Sequence, residues 1–192
     1  MSIMRRCRRA FTLIEILIVV GIIALLIALL LPALGKARRQ AKSVNCKAQL
    51  QNIGAAFQMY LNENDGRYPP APYSPAFNPP PAKTPINIYL QRYVSNVNDV
   101  FRCPADEEYW PQYNLSYSYY QELGERKLTE TFFYKVLQSS SMVPILWDAS
   151  NFHGGSVPLN WLFADGHVDH FIQGDTSQLR PIIPPPDEPK PE

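Results

Sequence analysis

Six residues near the C-terminal end carry metal-binding or acid–base side chains at close spacing: Asp148, His153, Asp165, His167, Asp169 and His170. Calcium takes six to eight oxygen ligands. Here the acids are sparse and several fall where turn residues are needed, which favours turn and hairpin roles over a metal site. On a strand, His167 and Asp169 would share one face, with Val168 and His170 on the other, so the six do not all converge. Which of Asp148, His153, Asp165 or His167 would bind a metal stays open at this level. Catalysis needs a convergent acid, base or nucleophile. Ser139 to Ser141 lie in a polar loop signal with no nucleophile elbow. The expectation is a protein that is not an enzyme and carries no cofactor.

A different kind of chemistry is posed by Glu15. It is the only charge between Ala10 and Gly35, inside an apolar run that meets the roughly 20 residues a bilayer-spanning helix needs. Core helices rarely run so long without a polar face. A secretory signal has a shorter apolar stretch, 7–15 residues, ending at a small-residue cleavage site, and this run continues through Pro32 without a break. An ordinary anchor does not explain Glu15, because a carboxylate at membrane depth costs on the order of 2.5–3.5 kcal/mol and is functional by default. Arg5, Arg6, Arg8 and Arg9 precede the run, and Lys36, Arg38, Arg39 and Lys42 follow it. Such a near-equal count of flanking positive charge does not choose an orientation.

Basic residues, a small residue and then FTLIEILIVVGIIALL resemble the class III leader of type IV prepilins and pseudopilins. The resemblance implies a prepilin peptidase that cuts between Ala10 and Phe11 on the cytoplasmic side and methylates the new Phe11 amine. It also implies assembly through Glu15, which in the family's model pairs with the Phe11 amine of a neighbouring subunit. Such pairing offsets two desolvation costs and sets axial register. Gly21 fits the family's pattern. Pro32 sits where many members place a helix-kinking proline, and it removes one helix hydrogen bond. Ala10 departs from the family's usual Gly before the cut. Removing residues 1–10 deletes four arginines, Cys7 and no acid, leaving fourteen basic residues against seventeen acidic ones. The implied partners are the peptidase, other pilin or pseudopilin subunits in a homo- or heteropolymer, and the inner membrane. The implied location is a single-pass bacterial inner-membrane protein with its C-terminal domain in the periplasm, or a fibre at the cell surface. A type II secretion pseudopilin is the first choice, a type IV pilus minor subunit or adhesin the second. A membrane-anchored envelope module that never polymerises is the reading from another class.

NFHGGSVPLNWLFADGHVDHF resembles a C-terminal motif attached to prepilin-type leaders in planctomycete-like bacteria, in which a His precedes an Asp-Gly at fixed spacing. Eleven residues separate His153 from Asp165 here, two more than in the common form, and Pro158 marks the insertion. CKAQLQNIGAAFQMYLNENDGRYPP and FRCPADE match segments of such proteins too. No activity transfers with the motif. Some major pseudopilins hold calcium in a C-terminal loop. An oxidising compartment outside the cytoplasmic membrane would permit a disulfide between Cys46 and Cys103; two free buried cysteines are the alternative. A zinc site is less favoured, since neither cysteine sits in a CxxC pair.

These residues need elements to hold them. Val44, Leu50, Ile53, Phe57 and Tyr60/Leu61 recur at threes and fours, one apolar helix face, and NENDG at 62–66 is a stop signal. One helix is therefore predicted from about Thr12 to about Asn62, its first half for lipid and other subunits, its second half for a globular domain. Eight prolines between Pro69 and Pro85 exclude regular structure and read as a solvated surface loop. INIYLQRYVS at 86–95 predicts a short helix, and Cys103-Pro104 a turn. SYSYY, MVPILWDA, LNWLFA and HVDHFI are aromatic and β-branched runs of strand character, with Asp165-Gly166 as a hairpin turn between the last two. The predicted fold is α+β and pilin-like: a long N-terminal transmembrane helix packed on a small antiparallel sheet. The predicted organisation is a leader at 1–10, a transmembrane assembly helix at 11–35, its amphipathic continuation at 36–62, a periplasmic α+β domain at 63–178 and a proline-rich tail at 179–192. Net charge is +1 and the early basic residues bracket an apolar segment, so no nucleic-acid stripe is formed.

Overall fold

The computed structural model describes residues 12–71, 84–154 and 157–171. The leader, with Ala10 and Phe11, most of the proline-rich segment and the C-terminal tail lie outside the described residues.

Helix α1 spans Leu13–Glu63 and contains Pro32. Two compact units divide the chain between Arg38 and Arg39. In the first unit, the apolar positions from Leu13 to Leu34 are all solvent-facing, and by length and composition this part of α1 is able to cross a membrane.

In the second unit the rest of α1 buries one stripe: Ser43, Cys46, Leu50, Ile53, Gly54, Ala56 and Phe57. The steps of three and four are those of a helix face. The stripe differs from the predicted one at its start. Val44 is 60% exposed, and polar Ser43 takes the inner position because Asn160 meets it there. Tyr60 and Leu61 are only partly buried. The helix ends as NENDG predicts: Asp65 and Gly66 adopt positive φ, and the Gly66 N–H returns to the Leu61 carbonyl at 2.8 Å, a left-handed C-terminal cap.

Four strands form an antiparallel sheet in the order β1-β2-β3-β4: β1 Tyr117–Tyr119, β2 Pro144–Asp148, β3 Leu159–Phe163 and β4 Val168–Phe171. The long helix and this sheet give the predicted α+β class. β3 and β4 close as a hairpin around Asp165 and Gly166, with Gly166 at φ 93°. Short helices cover the remainder: α2 Ile86–Leu90, α3 Val97–Val100, α4 Trp110–Tyr113 and α5 Phe132–Leu137. Their caps are local. Asn96 accepts from the Asn98 N–H in α3 and Thr131 from the Tyr134 N–H in α5, each satisfying an otherwise orphaned helix donor. At α4 the buried Asp106 carboxylate accepts three successive N–H groups, from Glu108, Tyr109 and Trp110.

The core lies between the inner stripe of α1 and the sheet. Phe57 stacks on Tyr119 with ring centroids 6.0 Å apart. The Tyr117 hydroxyl donates to Gln49 Oε1, and that of Tyr119 to the Pro69 carbonyl. Both strand tyrosines are thereby fully buried with their polar ends satisfied. α1 comes close to β3 at Gly54, where an added Cβ would stand 3.0 Å from Leu162 Cδ1. Gly54→Val places branched methyls in that gap. Overpacking of this kind costs about 1–3 kcal/mol, and a thermal melt of the variant is expected to show a lowered midpoint; an unchanged one would mean the helix and strand separate freely.

Candidate functional site

Asp148 ends β2, His153 sits in the loop that follows, and Asn160 is the second residue of β3. All three residues are buried, as are Ser43, Cys46 and Cys103. Asp148 Oδ2 accepts the Asn160 backbone N–H at 2.8 Å and its side-chain Nδ2 at 2.9 Å. Asn160 Nδ2 also reaches Ser43 Oγ and the Ser43 carbonyl, each at 3.4 Å. A polar chain thus runs from α1 through β3 to the end of β2.

His153 continues it. Its Nδ1 lies 3.7 Å from Asp148 Oδ2. Its Nε2 lies 3.2 Å from Cys46 Sγ and 3.4 Å from Cys103 Sγ. Burial lowers the His153 pKa to about 4, helped by electrostatic repulsion from the nearby His170 and Lys42 side chains. Burial raises that of Asp148 to about 7, against the hydrogen bonds from Asn160. The imidazole is therefore neutral, and the contact with Asp148 is not an ion pair at neutral pH. Among the described residues, His153 Nδ1 and Asp148 Oδ1 have no hydrogen-bond partner.

Cys46 on α1 and Cys103 before the turn at Pro104 face each other with Cα atoms 5.3 Å apart, inside the usual 4.4–6.8 Å span of disulfides. Cys46, Cys103 and His153 form the one group of three or more candidate ligands among the described residues, their donor atoms all within 4.8 Å of one another. The six residues singled out from sequence are split. Asp148 and His153 join this buried cluster. Asp165 and His167 pair in the hairpin turn, Nδ1 to Oδ1 at 2.5 Å, with the His167 ring stacked on Phe163. Burial works to raise the Asp165 pKa, but the His167 hydrogen bonds hold it below the usual value. Asp169 and His170 are exposed on β4. Ser139 and Ser141 hydrogen-bond to each other.

At the other end of the chain, Thr12 and Glu15 cap α1 reciprocally. The Thr12 N–H and hydroxyl donate to Glu15 Oε2 at 2.9 and 2.7 Å, and the Glu15 N–H donates to Thr12 Oγ1 at 3.3 Å. This is a capping box. Its signature, a Thr followed three residues later by a Glu before an apolar run, is present in TLIE, and the reading of Glu15 as a lone charge overlooked it. Asn160 carried no such signal, since its partner on α1 is 117 residues away.

Residues 5–31 match the family model of the prokaryotic N-terminal methylation motif, so the chain carries a type IV pilin-like leader. No curated protein and no solved structure matches the chain.

Proposed function

We propose that this protein is a pilin-like structural subunit, processed by a prepilin peptidase between Ala10 and Phe11 and assembled through its N-terminal helix into a type II secretion pseudopilus. The observation that carries the reading is the methylation motif at residues 5–31, which runs into an apolar helix able to cross a membrane. The motif supports a pilin-like protein that a prepilin peptidase matures; the choice of pseudopilus is the finer step. In this reading the work is architectural, with no catalytic step. The domain from Arg39 onward stands in the periplasm while the subunit waits in the inner membrane. Mass spectrometry of the protein from its host tests the first step. The expected N-terminus is N-methylated Phe11, and an uncut Met1 would leave only a plain anchor. Deletion of the gene tests the second. Secretion is expected to fail; normal secretion with loss of surface fibres would move the subunit to a type IV pilus.

Export also supports a Cys46–Cys103 bridge, because the compartment is oxidising. The two cysteines are 57 residues apart, and closing such a loop stabilises a fold by about 2–4 kcal/mol. Thiol counting without reductant is expected to find neither cysteine reactive, and adding reductant to lower the melting midpoint of the domain by roughly 10 °C. Two reactive thiols in the untreated protein would remove the bridge.

A further inference from the structure

His153 does more than fill space beside two sulfurs. A neutral imidazole has one donor and one acceptor nitrogen. With the proton on Nε2, the bare Nδ1 would face Asp148 Oδ2, an acceptor already engaged by Asn160. With the proton on Nδ1, its N–H stands 3.7 Å from that oxygen, too far for a hydrogen bond but of the right polarity, and the bare Nε2 is left 3.2 and 3.4 Å from the two sulfurs. A disulfide has no proton to offer that lone pair. Two thiols have protons, and a metal ion held by two thiolates has an empty orbital. A carboxylate behind one ring nitrogen and a cation on the other is how proteins fix a ligating histidine.

We propose that the reduced form of this cluster is a buried binding site for a thiophilic d10 cation, copper(I) or zinc(II), with Cys46 Sγ, Cys103 Sγ and His153 Nε2 as its three protein ligands and Asp148 as the residue that orients His153. Thiolate and imidazole donors select these ions. Metal–sulfur bonds of about 2.3 Å and metal–nitrogen bonds of about 2.0–2.1 Å put sulfur and nitrogen ligands about 3.5 Å apart on one ion, and here they stand at 3.2 and 3.4 Å. The two sulfurs must separate to bind, which requires the bond between them to be broken. A dithiol reductant supplies two electrons and two protons, becomes a disulfide itself, and leaves two thiols. The cation then displaces the two thiol protons. The same residues give a bridge or a metal site, never both, so cation binding holds α1 to the Cys103 turn when the bridge is absent. This inference is independent of the fibre reading.

The test uses the full chain in detergent micelles, reduced by a phosphine under anaerobic conditions. Copper(I) and zinc(II) are each titrated in competition with a colorimetric chelator, and alkylation of the thiols is followed in parallel. One equivalent of at least one of the two cations is expected, with Cys46 and Cys103 shielded from alkylation and no binding by the oxidised protein. D148N is expected to keep the stoichiometry and lose about 10–100-fold in affinity; H153A is expected to lose more. Retention of neither cation overturns the proposal, as does H153A binding as tightly as the reduced parent. Should H153A lose its helical circular dichroism, C103S provides the same reading, and unchanged affinity in that variant is equally fatal.

Discussion

Glu15→Gln is expected to leave processing, methylation and membrane insertion intact while removing the subunit from assembled fibres. The substitution separates two roles that Glu15→Ala confounds. In the monomer, Glu15 closes a capping box with Thr12, and glutamine serves that role as well as glutamate. The helix start is therefore preserved in the glutamine variant. What glutamine lacks is the charge. Removing it also lightens the cost of insertion, on the order of 2.5–3.5 kcal/mol for a charge at membrane depth, so the anchor becomes more comfortable in lipid. In the proposed fibre, however, Glu15 faces the methylated Phe11 amine of a neighbour. Deleting one partner of a buried ion pair strands the other and costs about 3–5 kcal/mol, two or more decades in the assembly equilibrium. Quantifying subunit in sheared fibres against subunit in the membrane fraction gives the answer. Normal assembly of Glu15→Gln with failure of Glu15→Ala would assign the residue to helix capping and remove the ion pair from the mechanism.

Features set by neighbouring residues could be read from the chain. The stop at NENDG, the four strand segments and the Asp165-Gly166 hairpin all rest on local backbone preferences, and the structure has each of them. Glu15 stands out in the sequence for its charge, and TLIE also signals its local cap with Thr12, a role the charge alone does not reveal. The polar cluster was different in kind. Asp148 and His153 were named as candidates, but the reason they matter lies in Cys46, 107 residues before His153, and in Cys103, 50 residues before it. Absence of a CxxC pair weighs against zinc by spacing along the chain, and that spacing carries no information on which residues meet in space. Val44 shows the same limit on a smaller scale. Hydrophobic periodicity nominated it for the core, yet a polar partner on β3 made the adjacent serine the better inner residue.

Asn160 carries a stability effect of the same size as that expected of the Cys46–Cys103 bridge. Asn160→Ala is expected to destabilise it by about 3 kcal/mol, the cost of leaving buried polar groups unpaired, and to lower the melting midpoint by roughly 10 °C. Asp148 loses the 2.9 Å side-chain donor and keeps only the 2.8 Å backbone one, inside a region that excludes water. Ser43 loses its partner across the α1–β3 contact. The two halves of that loss are unequal, and a single-residue comparison shows it. The contacts to Ser43 are 3.4–3.5 Å long, near the limit of a useful hydrogen bond, so Ser43→Ala is expected to cost under about 1 kcal/mol. The contacts to Asp148 are short and involve an acid, so most of the effect belongs there. Asn160→Asp makes the point from the other side. It keeps the shape and sets a second carboxyl against Asp148 Oδ2 where a donor stood, and its loss is expected to be at least as large as that of the alanine variant. Melting curves of the three variants order the contributions. If Ser43→Ala proved as damaging as Asn160→Ala, the helix-to-sheet contact rather than the support of Asp148 would be what Asn160 supplies, and Asp148 could no longer be credited with holding His153 in place.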